Sequence, residues 1–287
     1  MTEKKTLRLC CPQWQGGVNP NYVFGAELLS VIAPPSGKDE TVAIPVAREF
    51  NAPVETMDGI DWGGVLLSQM NGVRQTLEEK RPDRLIVFGG DCSVTQVPFD
   101  YLSGKYGGDL GILWLDAHPD ISSPGMTSHL HEMPLSNLLG RNPGSEITRV
   151  HHPFPAEKVF MAGLIEERLR PMDQACRDLH LRTASPEALA RGSEPVSNRH
   201  LHSPVRAPRG EGNLYSAVPL LKSLSDLLRP ISRRQTAEAS FTVVLFPLLC
   251  LSPLPDHGST LGEAACWNSL ASGFTYWRTG SGWNCTS

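Results

Sequence analysis

Three candidate metal ligands lie within one five-residue segment of the sequence. Asp116, His118 and Asp120 alternate along Asp-Ala-His-Pro-Asp, which directly follows the apolar segment Leu110–Leu115. Alternate residues of an extended segment project to the same side, so the three side chains can reach one small volume. Carboxylates with an imidazole suit Mn, Fe or Zn, and the pattern therefore predicts a divalent metal site. The simpler alternative is a helix-capping Asp with a surface histidine.

A glycine-containing turn carries a second candidate group, the thiol of Cys92. Gly89 and Gly90 precede it at the end of an apolar run and let the backbone turn sharply close to a ligand. Three roles stay open for Cys92: a soft metal ligand, a buried structural thiol, or a nucleophile with His118 or His131 as its base. Nearby carboxylates oppose the nucleophilic role because they raise the pKa of the thiol.

Two further histidines, His129 and His131, lie in a loop ahead of the short predicted helix Met133–Leu139. A loop histidine beside a metal centre is well placed to move protons at neutral pH. We therefore take His131 as a candidate catalytic residue.

The three motifs together resemble a known family. Gly-Gly-Asp-Cys-Ser, Asp-Ala-His-Pro-Asp and His-Glu-Met-Pro-Leu, in this order, are similar to the motifs of the arginase family of ureohydrolases, which includes arginase, agmatinase and formiminoglutamase. The resemblance implies a three-layer α/β/α sandwich with a mainly parallel sheet and a binuclear manganese site at its carboxyl edge. It also implies hydrolysis of a C–N bond in a linear amidine or guanidine such as arginine or agmatine.

The resemblance implies a role for each motif residue. Asp116 would bridge the two ions, Asp120 would bind one of them, and His118 would bind the other. His131 matches the family histidine that assists proton transfer or substrate binding. The family usually has His at the position of Cys92, so this ligand is replaced by a softer group or lost.

Part of the family pattern is missing from this sequence. The family supplies two further metal-binding aspartates in a Ser-x-Asp-x-Asp pattern, and no two aspartates after Asp120 have this spacing. The family also usually has Asn and Gly where this chain has His129 and Glu132. A site with three hard ligands suits one ion better than two. The alternative to an active hydrolase is therefore a catalytically inactive arginase-fold protein that binds at most one metal ion.

Alternating strand and helix patterns predict the sheet that would position these motifs. The predicted elements are strand Thr6–Cys11, a helix opened by Asn19-Pro20, strand Thr41–Val46, helix Gly63–Lys80, strand Arg84–Phe88, helix Val94–Leu102, strand Leu110–Leu115, helix Met133–Leu139 and strand Lys158–Gly163. Two of the helices carry apolar stripes at spacings of three and four, namely Phe24, Leu28, Leu29 and Ile32 in the first and Leu66, Met70, Val73 and Leu77 in the second.

The composition changes near residue 200. Residues 1–200 hold 25 of the 30 acidic residues, and the remainder is rich in Ser, Pro, Leu and Arg. We expect an incomplete arginase-like domain over residues 1–198 and a divergent, poorly ordered tail over residues 199–287. One hypothesis is that this tail comes from a shifted or spliced reading frame. Resequencing that finds a single intact frame through codon 200 would contradict it.

Composition also excludes several classes of function. The 287-residue chain has a net charge of -4 and a pI near 6.1, so no overall field attracts nucleic acid or anionic lipid. No apolar run approaches the roughly 20 residues that span a bilayer, and Leu7–Cys11 is too short for a secretory signal. Seven cysteines without a CxxC pair favour reduced thiols in a cytoplasmic protein. A homo-oligomer is implied by the resemblance, since relatives form trimers or hexamers.

Overall fold

A computed structural model gives the structure of residues 4–33, 35, 37, 39–191, 243–245, 275–279 and 282–286. The chain divides into two units, residues 1–248 and residues 249–287. The predicted boundary between residues 198 and 199 lies outside the described residues.

Strands and helices alternate along the described part of the first unit. The strands are β1 (Thr6–Cys11), β2 (Glu40–Ala43), β3 (Thr56–Met57), β4 (Ile60–Asp61), β5 (Arg84–Gly89), β6 (Ile112–Leu115), β7 (Val159–Ala162), β8 (Arg182–Ala184) and β9 (Val243–Leu245). The helices are α1 (Asn21–Ile32), α2 (Gly63–Lys80), α3 (Gln96–Lys105), α4 (Pro134–Leu138), α5 (Ala175–Asp178) and α6 (Pro186–Arg191).

Parallel pairing joins most of these strands into two sheet segments. One has the order β2-β1-β5-β9 and the other the order β6-β7-β8, while β3 and β4 form a short antiparallel pair. Cys11 aligns with Gly89 at the carboxyl ends of β1 and β5, and Leu115 aligns with Ala162 at the carboxyl ends of β6 and β7. Ligands of open α/β sheets bind beyond these strand ends. The predicted α/β fold with a mainly parallel sheet is confirmed.

The second unit contains an antiparallel hairpin of β10 (Thr275–Thr279) and β11 (Gly282–Thr286). Together with β9, these strands lie within the segment that the composition marks as divergent. The rest of residues 199–287 lies outside the described residues.

The longest helix, α2, has the predicted bounds and buries the predicted stripe. Leu66, Met70, Val73 and Leu77 join Leu9 and Val87, among others, in one hydrophobic core. A second core lies around β6 and β7, where Trp114 and Met161 pack with residues such as Leu135 of α4. Buried apolar side chains therefore hold each sheet segment in place, and with it the turn at its carboxyl edge.

The predicted helix α1 forms, but its apolar stripe is not the face that it buries. Phe24 and Ile32 are more than half exposed, and the buried residues of this helix are Val23, Gly25 and Ala26. The helix packs against β1 and β5. Small side chains on the inner face of α1 permit this packing. The buried guanidinium of Arg8 in β1 donates to backbone carbonyls near the carboxyl end of α1, including that of Ser30 at 3.2 Å.

The bounds of other elements differ from the predictions by a few residues. β2 ends at Ala43, three residues early, and α3 begins only at Gln96 because a 3-10 turn occupies Cys92–Thr95. No described helix is long and apolar enough to cross a membrane. The four cysteines in the described ranges, Cys10, Cys11, Cys92 and Cys176, are all free thiols.

A matched pair of Val→Ala changes in α1 tests its buried face. Val23 is 6% exposed and Val31 is 75% exposed. Val23→Ala should lower the free energy of unfolding by about 2 kcal/mol, because buried methyl groups are lost and a cavity remains. Val31→Ala should change it by less than about 0.5 kcal/mol. Both variants make the same Val→Ala change within α1. The difference between their free energies of unfolding in urea therefore reports the burial of the two side chains. Equal effects would contradict the orientation of α1.

Candidate metal site

A buried carboxylate fixes the turn that follows β5. Asp91 accepts hydrogen bonds from the backbone N–H groups of Gly16 and Ser93, each at 3.0 Å, and from the hydroxyl of Ser93. Burial raises the pKa of Asp91, and the hydrogen bonds from Ser93 partly offset this effect. Gly90 passes so close to Gln13 that a Cβ atom there would lie 1.8 Å from the Gln13 carbonyl oxygen. The glycine and the carboxylate together set the position of the next residue, Cys92.

The loop after β6 is tied to the end of β7 and to α4. The backbone N–H of Asp116 donates to the carbonyl of Ala162 at 3.1 Å, and the Asp116 carboxylate accepts the backbone N–H of His118 at 2.9 Å. Asp120 has a φ of 45°, a left-handed conformation that Asp tolerates better than most residues. Its carbonyl oxygen accepts the backbone N–H of Leu135 at 3.0 Å. Both aspartates are thus held by backbone hydrogen bonds.

Side chains from these two turns meet in one cluster, which consists of Cys92, Asp116 and Asp120. One potential ligand atom from each residue lies within 4.8 Å of the other two. The sulfur of Cys92 lies 3.9 Å from Oδ2 of Asp116. Asp120 is 5% exposed, and its Oδ2 is buried and has no hydrogen-bond partner among the described residues. A buried carboxylate oxygen without a partner is costly unless a cation balances it, so the cluster fits one divalent ion.

The charges of the cluster oppose one another when no cation is bound. Burial, and then the charge of Asp116, raises the pKa of Asp120 well above its ordinary value. Burial, and then the charges of Asp120 and Asp116, raises the pKa of the Cys92 thiol in the same way. The thiol is therefore protonated at neutral pH, which disfavours the nucleophilic role considered for Cys92. A divalent cation would reverse this repulsion.

His118 lies beside the cluster with half of its side chain in solvent. The side chain is 48% exposed, and Nδ1 lies 3.5 Å from Oδ1 of Asp116. The interaction with the Asp116 carboxylate raises the pKa of His118. Of the four predicted ligands, the structure thus gathers Cys92, Asp116 and Asp120 and places His118 next to Asp116.

His131 is oriented by the same backbone segment that binds Asp91. Its Nδ1 lies 2.7 Å from the carbonyl oxygen of Gly16. A carbonyl only accepts hydrogen bonds, so Nδ1 carries the proton and Nε2 is the acceptor of the neutral ring. The ring of His129 stacks on His131 with centroids 5.8 Å apart. The imidazole is therefore fixed in one tautomer close to the two turns.

An ion-pair network beside His131 was not predicted from the sequence. Arg170 pairs with Glu132 through Nη1 and with buried Asp173 through Nε at 3.0 Å. Burial raises the pKa of Glu132, but hydrogen bonds from Thr127 and Arg170 outweigh it and hold this pKa below its ordinary value. Arg170 lies 38 residues from Glu132 in the sequence. No local pattern links the two, so nothing in the sequence could have revealed the pair.

The comparisons with known proteins agree with this fold. A family profile described as Arginase family matches residues 40–193, more than half of the sequence. The chain therefore belongs to the arginase family. A search of curated proteins finds no match.

Several solved structures are similar to this chain. Arginase of Entamoeba histolytica in complex with L-ornithine is 21% identical over 67% of each chain, with a TM-score of 0.54. Arginase of Bacillus caldovelox is 17% identical, with 66% of this chain and 67% of that chain covered and a TM-score of 0.47. Formiminoglutamase of Trypanosoma cruzi, solved with Mn²⁺, is 12% identical, with coverages of 66% and 62% and a TM-score of 0.44. The likeness to the Entamoeba enzyme supports the fold.

Gly90→Ala tests the close passage of the turn before Cys92. The added Cβ meets the Gln13 carbonyl at 1.8 Å, so the backbone must move. We expect a loss of about 1–3 kcal/mol in the free energy of unfolding. Gly64→Ala in α2 is the control, because a Cβ there meets nothing within 4 Å and should leave stability unchanged or raise it by up to about 1 kcal/mol. If Gly90→Ala left the thermal and urea unfolding curves unchanged, the close approach of Gly90 to the Gln13 carbonyl would be contradicted.

Arg170→Met tests the network beside His131. The change leaves buried Asp173 without its guanidinium partner, which should cost about 1–3 kcal/mol of stability. Arg149→Met is the matched control: the Arg149 side chain forms an exposed pair with Glu146, and its loss should cost less than about 0.5 kcal/mol. Similar urea midpoints for the two variants would show that the network does not hold this loop.

Proposed function

We propose that the protein is a metal-dependent hydrolase that cleaves a C–N bond of a linear amidine or guanidine. Membership of the arginase family supports this reaction class. The observation that carries the proposal is the buried Oδ2 of Asp120, which lies in a cluster with Cys92 and Asp116 and finds no hydrogen-bond partner in the part of the chain that the structure describes. Two carboxylates and a thiol that converge at the carboxyl edge of the sheet are suited to holding a cation.

Asp116, Asp120 and Cys92 would hold the metal, and His118 lies close enough to Asp116 to join them. Manganese is the ion that the family resemblance implies. When bound, a cation in such a site supplies a Lewis acid and lowers the pKa of water towards neutrality.

His131 is the proposed proton-transfer residue. Its Nδ1–H stays bonded to the Gly16 carbonyl, so the ring keeps one orientation while Nε2 gains and loses a proton. As a neutral imidazole, Nε2 takes a proton from the attacking water; as an imidazolium, it gives that proton to the departing amine. Addition of water to the amidine carbon and loss of the amine then yield urea or a related amide.

The proposed partners are small guanidine or amidine molecules. The net charge of -4 gives no general attraction to nucleic acid or anionic lipid. Free thiols at Cys10, Cys11, Cys92 and Cys176 support a reducing, cytoplasmic compartment. A homo-oligomer is part of the same proposal, and sedimentation of the full chain tests it.

A catalytically inactive arginase-fold protein is the second candidate. One observation favours it: no two aspartates after Asp120 have the Asp-x-Asp spacing that supplies the family's remaining metal ligands. Such a protein would bind at most one ion in the cluster and would not turn over guanidines.

Metal content and urea release separate these two candidates, and Asp116→Asn tests the metal site itself. The full chain is loaded with Mn²⁺, its metal content is measured by mass spectrometry, and urea release is measured from arginine, agmatine and guanidinobutyrate. These substrates share the guanidinium and differ in charge at the other end. We expect turnover of at least one of them, with metal content and turnover both lost in Asp116→Asn, because the variant removes a negative ligand. Asp178→Asn, an exposed aspartate of α5, should keep both.

His131→Asn adds a second arm to this experiment. It should retain the metal and lower kcat by roughly 100-fold to 10,000-fold, because only proton transfer is lost. Bound metal without turnover in the unaltered protein would favour the inactive candidate. Metal-independent turnover that is lost in Cys92→Ala would favour a cysteine nucleophile instead. Unchanged metal content in Asp116→Asn would contradict the site.

A further inference from the structure

We propose that Cys92, Asp116 and Asp120 form a single-ion site in which the sulfur of Cys92 selects a borderline-soft cation, Zn²⁺ or Co²⁺, over Mn²⁺. This inference rests on the location of the proposed active site and deepens that proposal. It departs from the binuclear manganese centre that the family resemblance implies.

The chemistry of the donor atoms favours zinc or cobalt over manganese. Among the described residues, this cluster is the one group of three or more His, Cys, Asp and Glu ligands that meets the distances of a metal site, and one of its three atoms is sulfur. Thiolates select zinc and other soft or borderline ions, whereas manganese suits oxygen ligands and binds divalent sites more weakly than cobalt or zinc. Replacing a nitrogen donor by sulfur at position 92 therefore moves the preference away from manganese.

Geometry supports one small ion. Ligand atoms around a four-coordinate zinc lie about 3.5 Å apart, given bonds of about 2.0–2.3 Å. The sulfur of Cys92 and Oδ2 of Asp116 are 3.9 Å apart, and all three donor atoms lie within 4.8 Å of one another. Binding of a four-coordinate ion would therefore require the three atoms to move closer together from these separations. The buried, unpartnered Oδ2 of Asp120 then gains a partner.

The backbone places the sulfur in this position. Cys92 starts a 3-10 turn whose cap is the side chain of Asp91, and the hydroxyl of Thr95 donates to the Cys92 carbonyl at 2.7 Å. The turn is thus closed on both sides of the thiol. On metal binding, the thiol proton passes to the buffer and the sulfur becomes the ligand.

The nearby acids do not provide ligands for a second ion. Glu132 and Asp173 both interact electrostatically with Asp120, yet each is paired with Arg170. Their negative charge is balanced by that guanidinium. Among the described residues, Cys92, Asp116 and Asp120 therefore offer one donor atom each to a single ion, and the remaining position is open to His118, water or substrate.

Cobalt spectroscopy of the full chain tests the site without reference to turnover. Metal is removed with a chelator, Co²⁺ is titrated, and the near-ultraviolet thiolate-to-cobalt charge-transfer band is recorded. We expect one equivalent of Co²⁺ and a clear band. The band should be absent in Cys92→Ser and retained in Cys176→Ala, which changes another buried thiol. Competition should give a Kd for Zn²⁺ on the order of 100-fold below that for Mn²⁺.

Cys92→Asp provides a variant that keeps a ligand at this position. Its binding should shift towards Mn²⁺, with circular dichroism unchanged, because an all-oxygen set replaces the thiolate. Two bound ions, tighter binding of Mn²⁺ than of Zn²⁺, cobalt bound without the band, or no metal binding would each overturn the inference. Zinc binding without urea release supports this site and contradicts the proposed hydrolase. Urea release with two bound manganese ions supports the proposed hydrolase and contradicts the single-ion site.

Discussion

The backbone of Gly16 connects the parts of the molecule on which the candidate site depends. Its N–H donates to the buried carboxylate of Asp91, which fixes the turn into Cys92. Its carbonyl accepts the Nδ1–H of His131, which fixes the imidazole. Residues 16, 91 and 131 follow β1, β5 and β6, and the backbone N–H and carbonyl of one residue bring their loops together. An added Cβ at Gly16 would lie 2.7 Å from the Asp91 carboxylate, so a glycine is required for this contact.

This scaffold holds two carboxyl groups and a thiol together, although burial and the charge of Asp116 oppose ionisation of Asp120 and Cys92. Asp116 and Asp120 are anchored through backbone hydrogen bonds to β7 and α4, and Cys92 through the turn that Asp91 caps. The fold therefore supplies the free energy that keeps these groups close, and a cation would recover part of it. Such an arrangement is typical of sites formed for a ligand, since strain or repulsion persists only where the surrounding structure imposes it.

Local patterns in the sequence predicted the elements that local physics determines. The spacing of Leu66, Met70, Val73 and Leu77 was sufficient for α2, and the unbroken apolar run before Gly89 was sufficient for β5. The apolar spacing in α1 did not identify its buried face. Packing of this helix on β1 and β5 favours small side chains, and the periodicity of large apolar residues gives no information about that requirement. The resemblance to the arginase family was confirmed by the family comparison.

Long-range contacts in the site could not be predicted in this way. The alternation argument for Asp116, His118 and Asp120 assumes an extended chain, yet Asp120 takes a left-handed conformation. The structure correspondingly places Asp116 and Asp120 against Cys92 and leaves half of the His118 side chain in solvent. The pairs of Arg170 with Glu132 and of Gly16 with Asp91 join segments far apart in the sequence. Only the folded chain brings them together.

The late position of β9 matters for how the chain reaches its fold. β9 pairs with β5, although more than half of the chain length separates the two strands. During synthesis on the ribosome, β5 therefore emerges and packs on β1 long before its second neighbour exists. Its open edge is available to other chains during that interval. A pairing between strands so far apart in the sequence forms slowly, which lengthens this exposure.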